Sequence, residues 1–516
     1  MEEDRIAPIF KGRHILLTGG TGFMGKVLIE KLIRLTEVDQ IYMLMRTKKG
    51  KDPKDRLIDI FTNPLFDTLK RRMDVQDMIK RIKVIPGDCG LIGLGLSAED
   101  RKLIIDNVSL IYHCAATIRF DEKLKRAVEL NTRGTLEMIK LGLECKNLEM
   151  FGYMSTSYCH LHESFLLEKP YDPPADPHKI IKSVEMLQED EVEGMAKKIL
   201  GTLPNSYAFT KALAEALVNE ACETQNLPAM ILRPSIVIPT YEDPISGWTD
   251  NLNGPAGLMI GAGKGVIRTL YCDQKSYGDF LPVDVAINGL MVCTWYYLTF
   301  NDKEHYIVNF TSSQDIRVRW EEIVVMGQKV INEKYPINGI LWYPGGGMTK
   351  YRWLHQLRAI FFHWLPAILI DILLFCLGYE RILWRVHKRI AKGMEVIEYY
   401  ANNQWDFDNK HAIIIRKTLN NTEKLKYKCD AEGVDIYQYF ENCILGARRY
   451  LLKQPDMMLP AARRMMKIMY VVDRVAKTLI YGWLLYWIMG LVLPTFFSSE
   501  ALDKFYSVIR RIFWGK

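Results

Sequence analysis

The stretch that decides the fold is His14-Ile-Leu-Leu-Thr-Gly-Gly-Thr-Gly-Phe-Met-Gly25, which leads into a helical pattern. Its first five residues, His14–Thr18, form an apolar run of the length of a buried strand. Gly19 permits a tight turn, Gly22 lets the backbone approach a diphosphate, and Gly25 lets the helix pack on the strand. The helix N-terminus offers free N–H groups and a positive dipole end to phosphate. The residues predicted to line this dinucleotide site are Thr18, Gly19, Gly22, Phe23, Met24 and Gly25. A glycine-rich surface turn is the alternative.

Further apolar runs alternate with helix-sized segments along the first half of the chain. They lie at 41–45, 82–85, 110–113, 150–155 and 230–233. Strands separated by helices indicate βαβ units and a parallel sheet. The predicted fold class is therefore α/β, a doubly wound parallel sheet of the Rossmann kind. Glycine and proline become dense between Pro239 and Gly265, which predicts irregular loops there.

The end of the second predicted strand indicates which dinucleotide is bound. Arg46 lies 21 residues after Gly25, where an acidic residue would bind the ribose hydroxyl of NAD. A guanidinium there instead suits the extra phosphate of NADP, and Lys48 and Lys49 follow closely. A solvated basic turn is the alternative, and it applies better to the two lysines than to Arg46.

Two later strand ends are weaker candidates for cofactor contacts. Asp88 follows the third strand and could contact the adenine. Ala115 belongs to His113-Cys-Ala-Ala-Thr117, which lies where a fourth strand would pass beneath the nicotinamide ribose. Ordinary strand-end loops are the alternative for both.

The tyrosine and lysine of Tyr207-Ala-Phe-Thr-Lys211 stand at the start of a helical pattern and share one helix face. A nearby cation lowers the pKa of a phenol, so that Tyr207 could protonate a developing alkoxide, and Lys211 could also hold ribose hydroxyls. Upstream, Ser155-Thr156-Ser157 follows a strand, where a hydroxyl can bond a substrate oxygen. An exposed helix pair and a capping turn are the respective alternatives.

Composition narrows the class of protein. The chain has 516 residues, of which 49% are hydrophobic and 25% charged, as in a folded protein of two or three units. The net charge of +7 suits a phosphate-rich ligand or an anionic membrane and is too diffuse to indicate nucleic acid. The ten cysteines are scattered, so neither a disulfide framework nor a metal site is predicted. The acidic first residues lack the apolar core of a secretory signal.

The C-terminal third differs from the rest. A flexible connection is expected around Tyr343-Pro-Gly-Gly-Gly347, and a domain boundary is placed there. The apolar stretch 359–378 carries His363, Pro366 and Asp371, which favours an interfacial or buried helix over a span. Residues 478–499 carry no charge over 22 positions and follow a basic flank, as a membrane anchor does. A buried helix of a soluble domain is the alternative for them.

Taken together, these segments resemble the extended short-chain dehydrogenases, and specifically the alcohol-forming fatty acyl-CoA reductases. The resemblance covers nearly the whole chain. It rests on the glycine loop, on Arg46-Thr-Lys-Lys-Gly-Lys-Asp-Pro, Ala115-Ala-Thr-Ile-Arg-Phe-Asp-Glu, Met154-Ser-Thr-Ser-Tyr, Asn205-Ser-Tyr-Ala-Phe-Thr-Lys-Ala-Leu-Ala-Glu, Leu232-Arg-Pro-Ser-Ile-Val and Gly247-Trp-Thr-Asp-Asn, and on His363-Trp-Leu-Pro-Ala and Trp405-Asp-Phe.

The resemblance implies a membrane-associated enzyme that reduces long-chain fatty acyl-CoA to fatty alcohol with NADPH. It implies that Thr156, Tyr207 and Lys211 are catalytic, with Ser155 one residue away as the alternative to Thr156. The competing functions are an aldehyde-forming reductase, another extended short-chain dehydrogenase, and a non-catalytic membrane protein. The expected membrane is the endoplasmic reticulum, with the catalytic part cytosolic, or else the peroxisome or the lipid droplet.

The resemblance also implies a division of the chain. Residues 11–343 would bind NADP, with a Rossmann core at 11–240 and substrate-side elements at 241–343. A smaller, mainly helical domain would occupy 344–455, and a membrane segment 475–499.

Overall fold

A computed structural model describes residues 2–46, 50, 52–252, 254–496 and 507 of the chain. Its centre is a seven-stranded, wholly parallel sheet. The strands, in chain order, are β1 (His14–Thr18), β2 (Gln40–Met45), β3 (Ile82–Pro86), β4 (Leu110–His113), β5 (Met150–Met154), β6 (Ala229–Pro234) and β7 (Ile307–Phe310). Across the sheet they run β7-β6-β5-β4-β1-β2-β3. The order in which successive strands are added reverses between β1 and β4, which is where doubly wound sheets bind ligands.

Both faces of the sheet are covered by helices, because alternate side chains of each strand point to opposite faces. Ile15 and Leu17 pack in one apolar cluster, with Phe23–Leu35 and Val283–Phe300. Leu16 packs in the other, with Ala98–Asn107, Gly134–Glu144 and Ser206–Gln225. The α/β prediction is therefore confirmed.

Eight helices recur below and are labelled in chain order. They are α1 (Phe23–Leu35), α2 (Ser206–Gln225), α3 (Pro255–Gly263), α4 (Trp320–Lys329), α5 (Arg352–Cys376), α6 (Leu383–Asn402), α7 (Ile436–Gly446) and α8 (Leu459–Phe496). Other helices are Pro53–Phe61, Val75–Lys80, Ala98–Asn107, Gly134–Glu144, Pro177–Met186, Glu189–Leu200, Val283–Phe300, Lys410–Lys417 and Asn421–Lys426.

Two expectations from the sequence need correction, and one strand was not expected. Residues 255–263 are helical (α3) rather than irregular, since Pro255 occupies the first turn, where a missing N–H costs nothing. The stretch around Tyr343 to Gly347 is packed rather than flexible: Gly347–Thr349 pairs with Thr269–Tyr271, and a Cβ on Gly346 would lie 2.7 Å from the Arg268 Cα. Strand β7 was not anticipated.

The C-terminal region is mainly helical and returns to the first part of the chain. Its two-residue strand Asp406–Phe407 pairs with Phe165–Leu166, which follows β5. Trp405 donates through its indole N–H to the Leu161 carbonyl oxygen at 3.0 Å. These contacts hold the middle of the C-terminal region beside the carboxyl edge of the central sheet.

One helix among the described residues, α5, is long and apolar enough to cross a membrane. An interfacial or a buried helix was expected for 359–378. The expectation of a buried helix is wrong, because most of the large apolar side chains in this stretch are exposed. Asp371 lies within it, but its carboxylate accepts from the backbone N–H groups of Ile382, Leu383 and Trp384 at the start of α6. The predicted anchor 478–499 begins inside α8, with exposed apolar side chains through Ile488, and its last residues, 497–499, lie outside the described part.

Candidate active site

The glycine loop connects β1 to α1 in the way that the sequence predicted. Gly19 has φ of 75°, a region that favours glycine, and a Cβ there would lie 2.8 Å from the Ala115 backbone nitrogen. A Cβ on Gly25 would collide with the Gly19 carbonyl oxygen. The N-cap Gly22 brings no side-chain acceptor to the first N–H groups of α1. The loop therefore leaves these donors for a phosphate group, which fits a bound dinucleotide.

The residues around this loop hold it against the neighbouring strand. The Thr18 hydroxyl accepts from the Ala115 backbone N–H at 3.1 Å and lies 2.7 Å from His113 Nδ1. On the other side, the Phe23 ring stacks on Trp248 with centroids 5.4 Å apart. Thr18, Phe23 and Ala115 thus lie together at the switch point of the sheet.

Arg46 and Asp88 follow adjacent strands and lie beside each other. The Arg46 guanidinium is half-exposed and 3.8 Å from an Asp88 carboxylate oxygen. An exposed guanidinium at the end of β2 is available to an adenosine phosphate. Lys48 and Lys49, the other basic residues considered at this turn, lie outside the described residues.

Helix α2 carries both Tyr207 and Lys211. Its first turn is capped by Asn205, whose side chain accepts from the Ala208 N–H at 2.9 Å. The buried Lys211 ammonium donates to the Met154 carbonyl oxygen at 2.6 Å and lies 4.7 Å from the centre of the Tyr153 ring. Burial lowers the pKa of Lys211 from its usual value to about 8. Lys211 therefore loses its proton more readily than an exposed lysine.

The electrostatics of Tyr207 differ from the expectation that a cation lowers its pKa. Burial raises the pKa of the Tyr207 phenol, and hydrogen bonding to the Thr156 hydroxyl offsets only part of that rise. The Lys211 ammonium is directed to the Met154 carbonyl oxygen instead. Tyr207 therefore holds its proton at neutral pH, as a proton donor must.

The three hydroxyls after β5 have different partners. Ser155 donates to a Glu215 carboxylate oxygen at 2.7 Å, and Ser157 donates to the Arg233 carbonyl oxygen at 2.7 Å. The Thr156 hydroxyl accepts from the Tyr158 N–H at 3.2 Å and interacts with Tyr207. Of the three, only the Thr156 hydroxyl contacts the phenol among the described residues. This arrangement favours Thr156 over Ser155 as the group that meets a substrate oxygen.

Beneath these groups lies a buried ionic cluster that the sequence did not identify. Glu215 accepts from both Arg233 and His160, and Arg233 also donates to the Leu167 and Lys169 carbonyl oxygens at 2.9 Å each. Burial raises the pKa of Glu215, but Arg233 and His160 outweigh this and hold it well below its usual range. Glu215 lies one turn after Lys211 on α2, and this spacing is the sequence feature that could have indicated the cluster. The cluster joins α2 to the ends of β5 and β6.

The C-terminal region supplies one wall of the site. The Phe120 ring lies edge-on to Tyr207 at 5.6 Å, and the ring of Tyr400, from α6, lies 5.5 Å from Phe120. The Tyr400 hydroxyl accepts from the Asn205 side chain at 2.9 Å. Tyr158 packs against Tyr400 and Trp405 with centroids 5.8 Å apart. An aromatic cluster from both parts of the chain therefore encloses the Tyr207 side of the site.

An apolar cavity lies between α3, α4 and α7. Its lining includes Ile238, Leu270, Phe280, Trp320, Met348 and Tyr439. Thr249, next to the Trp248 that stacks on Phe23, also lines it. The cavity therefore approaches the start of α1 at Thr249, and its apolar walls suit a hydrocarbon chain.

Known proteins resemble the chain over most of its length. A family pattern described as "Male sterility protein" matches residues 17–290, and a second of the same description matches 362–454. "Fatty acyl-CoA reductase wat" of Drosophila melanogaster is 34% identical over 95% of each chain. "Fatty acyl-CoA reductase 1" of Homo sapiens is 35% identical, covering 89% of this chain and 88% of the relative.

Solved structures agree on the fold. The reductase domain of a nonribosomal peptide synthetase from Mycobacterium tuberculosis has a TM-score of 0.58 and 17% identity, covering 87% of this chain and 96% of that one. The terminal R domain of the myxalamid pathway has a TM-score of 0.56 and 19% identity, covering 88% and 97%. The chain is thus an NAD(P)-binding oxidoreductase, and it belongs to the fatty acyl-CoA reductase family.

Proposed function

We propose that this enzyme reduces long-chain fatty acyl-CoA to primary fatty alcohol and free coenzyme A, with two NADPH. The observation that supports the proposal most directly is that two features occur in one protein. A dinucleotide loop and a tyrosine–threonine pair meet at one edge of the sheet, and an apolar cavity approaches the start of α1 at Thr249. A sugar-acting relative would need polar groups where this cavity presents hydrocarbon.

The residues would divide the chemistry as follows. Bound NADPH would supply one hydride for each of the two reductions. The Thr156 hydroxyl would donate to the thioester carbonyl oxygen, and Tyr207 would give that oxygen a proton as its charge develops. The resulting thiohemiacetal would break its C–S bond and expel coenzyme A, which leaves an aldehyde. Tyr207 would then protonate the aldehyde oxygen in the second reduction.

The cofactor would be held mainly by backbone. Gly19, Gly22 and the first N–H groups of α1, at Phe23, Met24 and Gly25, would bind the diphosphate, and Thr18 and Ala115 would form the floor of the site. Arg46 would bind the phosphate that distinguishes NADPH from NADH. Asp88 would contact the adenine, and Lys211 would hold the ribose hydroxyls. The half-exposed Arg46 at the end of β2 supports the choice of NADPH.

The chain would be organised around the same division. Residues 11–343 would bind the cofactor, 344–455 would shape the acyl site, and 475–499 would anchor the enzyme. The exposed apolar side chains of α5 and of α8 up to Ile488 support a membrane location, with lipid as a partner. We expect this membrane to be the endoplasmic reticulum, with the catalytic site facing the cytosol.

The experiment is a product analysis. Membranes that contain the protein are incubated with palmitoyl-CoA and NADPH, and the lipids are identified by gas chromatography. Hexadecanol is the expected product, and Tyr207→Phe should form neither alcohol nor aldehyde. Accumulation of hexadecanal by the wild type would contradict the second reduction, and an active Tyr207→Phe would contradict the role of the phenol.

A further inference from the structure

Helix α6 has a charged face and an apolar face. Arg385, Lys388, Arg389 and Lys392 are all exposed, and their spacing of three and four residues places them along one side of the helix. On the inner side, Ile390, Met394, Ile397 and Ala401 pack against Leu270 and Trp320, which line the apolar cavity. Helix α6 therefore separates the acyl cavity from a row of cations, called the basic stripe below.

The basic stripe begins at the rim of the catalytic site. Tyr400, in the last turns of α6, contacts the Phe120 that packs on Tyr207. Eight residues earlier, the Lys392 ammonium lies 3.3 Å from an Asp121 carboxylate oxygen. Across the rim, the Arg119 guanidinium lies 3.4 Å from the other oxygen of Asp121. Cations from both parts of the chain thus meet beside Phe120.

The distance along α6 from Tyr400 to the basic stripe matches the length of one part of coenzyme A. From Tyr400 back to Lys388 the helix rises by about 18 Å, at 1.5 Å per residue. An extended pantetheine arm, from thioester carbon to the first phosphorus, spans roughly 17 Å by standard bond lengths. Measured from the Tyr400 end of α6, the phosphates of coenzyme A would therefore lie near the level of Lys388 and Arg389.

The charges there are available. Among the described residues, Lys388 and Arg389 have no ion-pair partner. Arg385 has one weak partner, the highly exposed Glu380, at a distance of 3.9 Å. Glu395, one turn beyond Lys392 towards the site, ends the stripe. The nucleotide end of coenzyme A carries a diphosphate and a 3′-phosphate, whose oxygens suit guanidinium and ammonium donors.

We propose that the basic stripe, with Arg119 across the rim, binds the phosphate groups of coenzyme A. The proposal rests on the proposed function and names the part of the protein that receives the non-acyl half of that substrate. The acyl chain then occupies the cavity on the inner side of α6, and the nucleotide lies along its outer side. Anionic lipid headgroups present the same phosphate chemistry, so the test separates the two sources.

The test uses the full-length triple variant Arg385→Gln, Lys388→Gln and Arg389→Gln, which keeps the Lys392–Asp121 pair. The matched control is Lys102→Gln, Lys197→Gln and Lys303→Gln, three exposed lysines outside the stripe. For the triple variant, the KM for palmitoyl-CoA should rise about tenfold, because several exposed charge contacts are lost together. The kinetics with hexadecanal, which has no nucleotide, should stay at the wild-type level, as should both substrates with the control.

Two further readings make the outcome decisive. Wild-type enzyme should have a higher KM for palmitoyl-dephospho-CoA than for palmitoyl-CoA, and the triple variant should lose that preference. Flotation with phosphatidylcholine vesicles, with and without phosphatidylserine, should be the same for both proteins. An unchanged KM for palmitoyl-CoA overturns the proposal, and so does an equal loss with hexadecanal. If the triple variant no longer binds phosphatidylserine vesicles but keeps the wild-type KM for palmitoyl-CoA, the stripe binds lipid headgroups instead of coenzyme A.

Failure of the proposed function is distinguishable from failure of the stripe. If wild-type protein reduces neither palmitoyl-CoA nor hexadecanal, the proposed function falls and the stripe proposal falls with it. If wild-type protein reduces both and the triple variant matches it, only the stripe proposal is overturned.

Discussion

Replacing Thr156 by Val and, separately, Ser155 by Ala tests which hydroxyl after β5 serves the chemistry. The two residues are adjacent and both buried, but Ser155 donates to the Glu215 carboxylate at 2.7 Å whereas the Thr156 hydroxyl meets Tyr207. The first change should therefore affect the rate of reduction, and the second should affect the stability of the fold. Val preserves the shape of Thr156, so packing is little disturbed.

The magnitudes follow from these contacts. Loss of a hydrogen-bond donor to a developing oxyanion costs about 10²- to 10³-fold in kcat. Thr156→Val also removes the acceptor of the Tyr158 N–H, which costs about 1 kcal/mol of unfolding free energy. Ser155→Ala removes a hydrogen bond to a buried carboxylate, which costs about 1.5–3 kcal/mol. Its kcat should stay near the wild-type value.

The assay for rate is oxidation of NADPH with hexadecanal, which isolates one hydride transfer. The assay for stability is urea unfolding in detergent, followed by tryptophan fluorescence. We therefore expect a crossed result, with a slow but only slightly destabilised Thr156→Val and an active but more strongly destabilised Ser155→Ala. A Ser155→Ala enzyme that loses about 10²-fold in kcat while Thr156→Val stays active would refute the assignment.

Three more predictions concern charge. Arg46→Ala should raise the KM for NADPH about tenfold more than the KM for NADH, since a charge-assisted hydrogen bond is lost only with the phosphorylated cofactor. Steady-state kinetics in which both KM values rise equally would contradict this prediction. The Lys211 ammonium loses its proton as the pH rises through its pKa of about 8, so kcat/KM for hexadecanal should fall above that pH. A kcat/KM that does not change with pH would show that the reaction does not require the protonated form of Lys211. Glu215→Gln breaks a buried ion pair with Arg233 and should lower the unfolding free energy by about 3–5 kcal/mol in urea titrations, whereas Glu220→Gln, exposed on the same helix, should change it by less than about 1 kcal/mol.

Much of the fold could be predicted because its signals are local. The run His14–Thr18, the glycines and the helix that follows are adjacent in the chain, and each restricts the backbone by itself. Strand β7 was missed because Ile307–Phe310 is four residues long and contains Asn309, whose side-chain nitrogen donates to the Leu166 and Asp408 carbonyl oxygens. Those partners are far away in sequence, and no local pattern marks them.

The site shows the same limit. Tyr207 and Lys211 could be paired because a helix places positions i and i+4 on one face. The neighbours that set their electrostatics come from elsewhere: Phe120 from the loop after β4, and Tyr400 from a helix nearly 200 residues later. The direction of the Tyr207 pKa shift was mistaken for this reason, because burial by distant segments raises the pKa of the phenol and Lys211 is directed to the Met154 carbonyl oxygen.

The most direct measurement uses NADPH that carries deuterium at the transferred position of C4. The enzyme is given palmitoyl-CoA, and the hexadecanol is examined by mass spectrometry. The account predicts two deuterium atoms at C1 of the alcohol, one from each reduction, and two cofactors oxidised per alcohol formed. Alcohol with a single deuterium, or labelled aldehyde as the end product, would contradict two hydride transfers at this site.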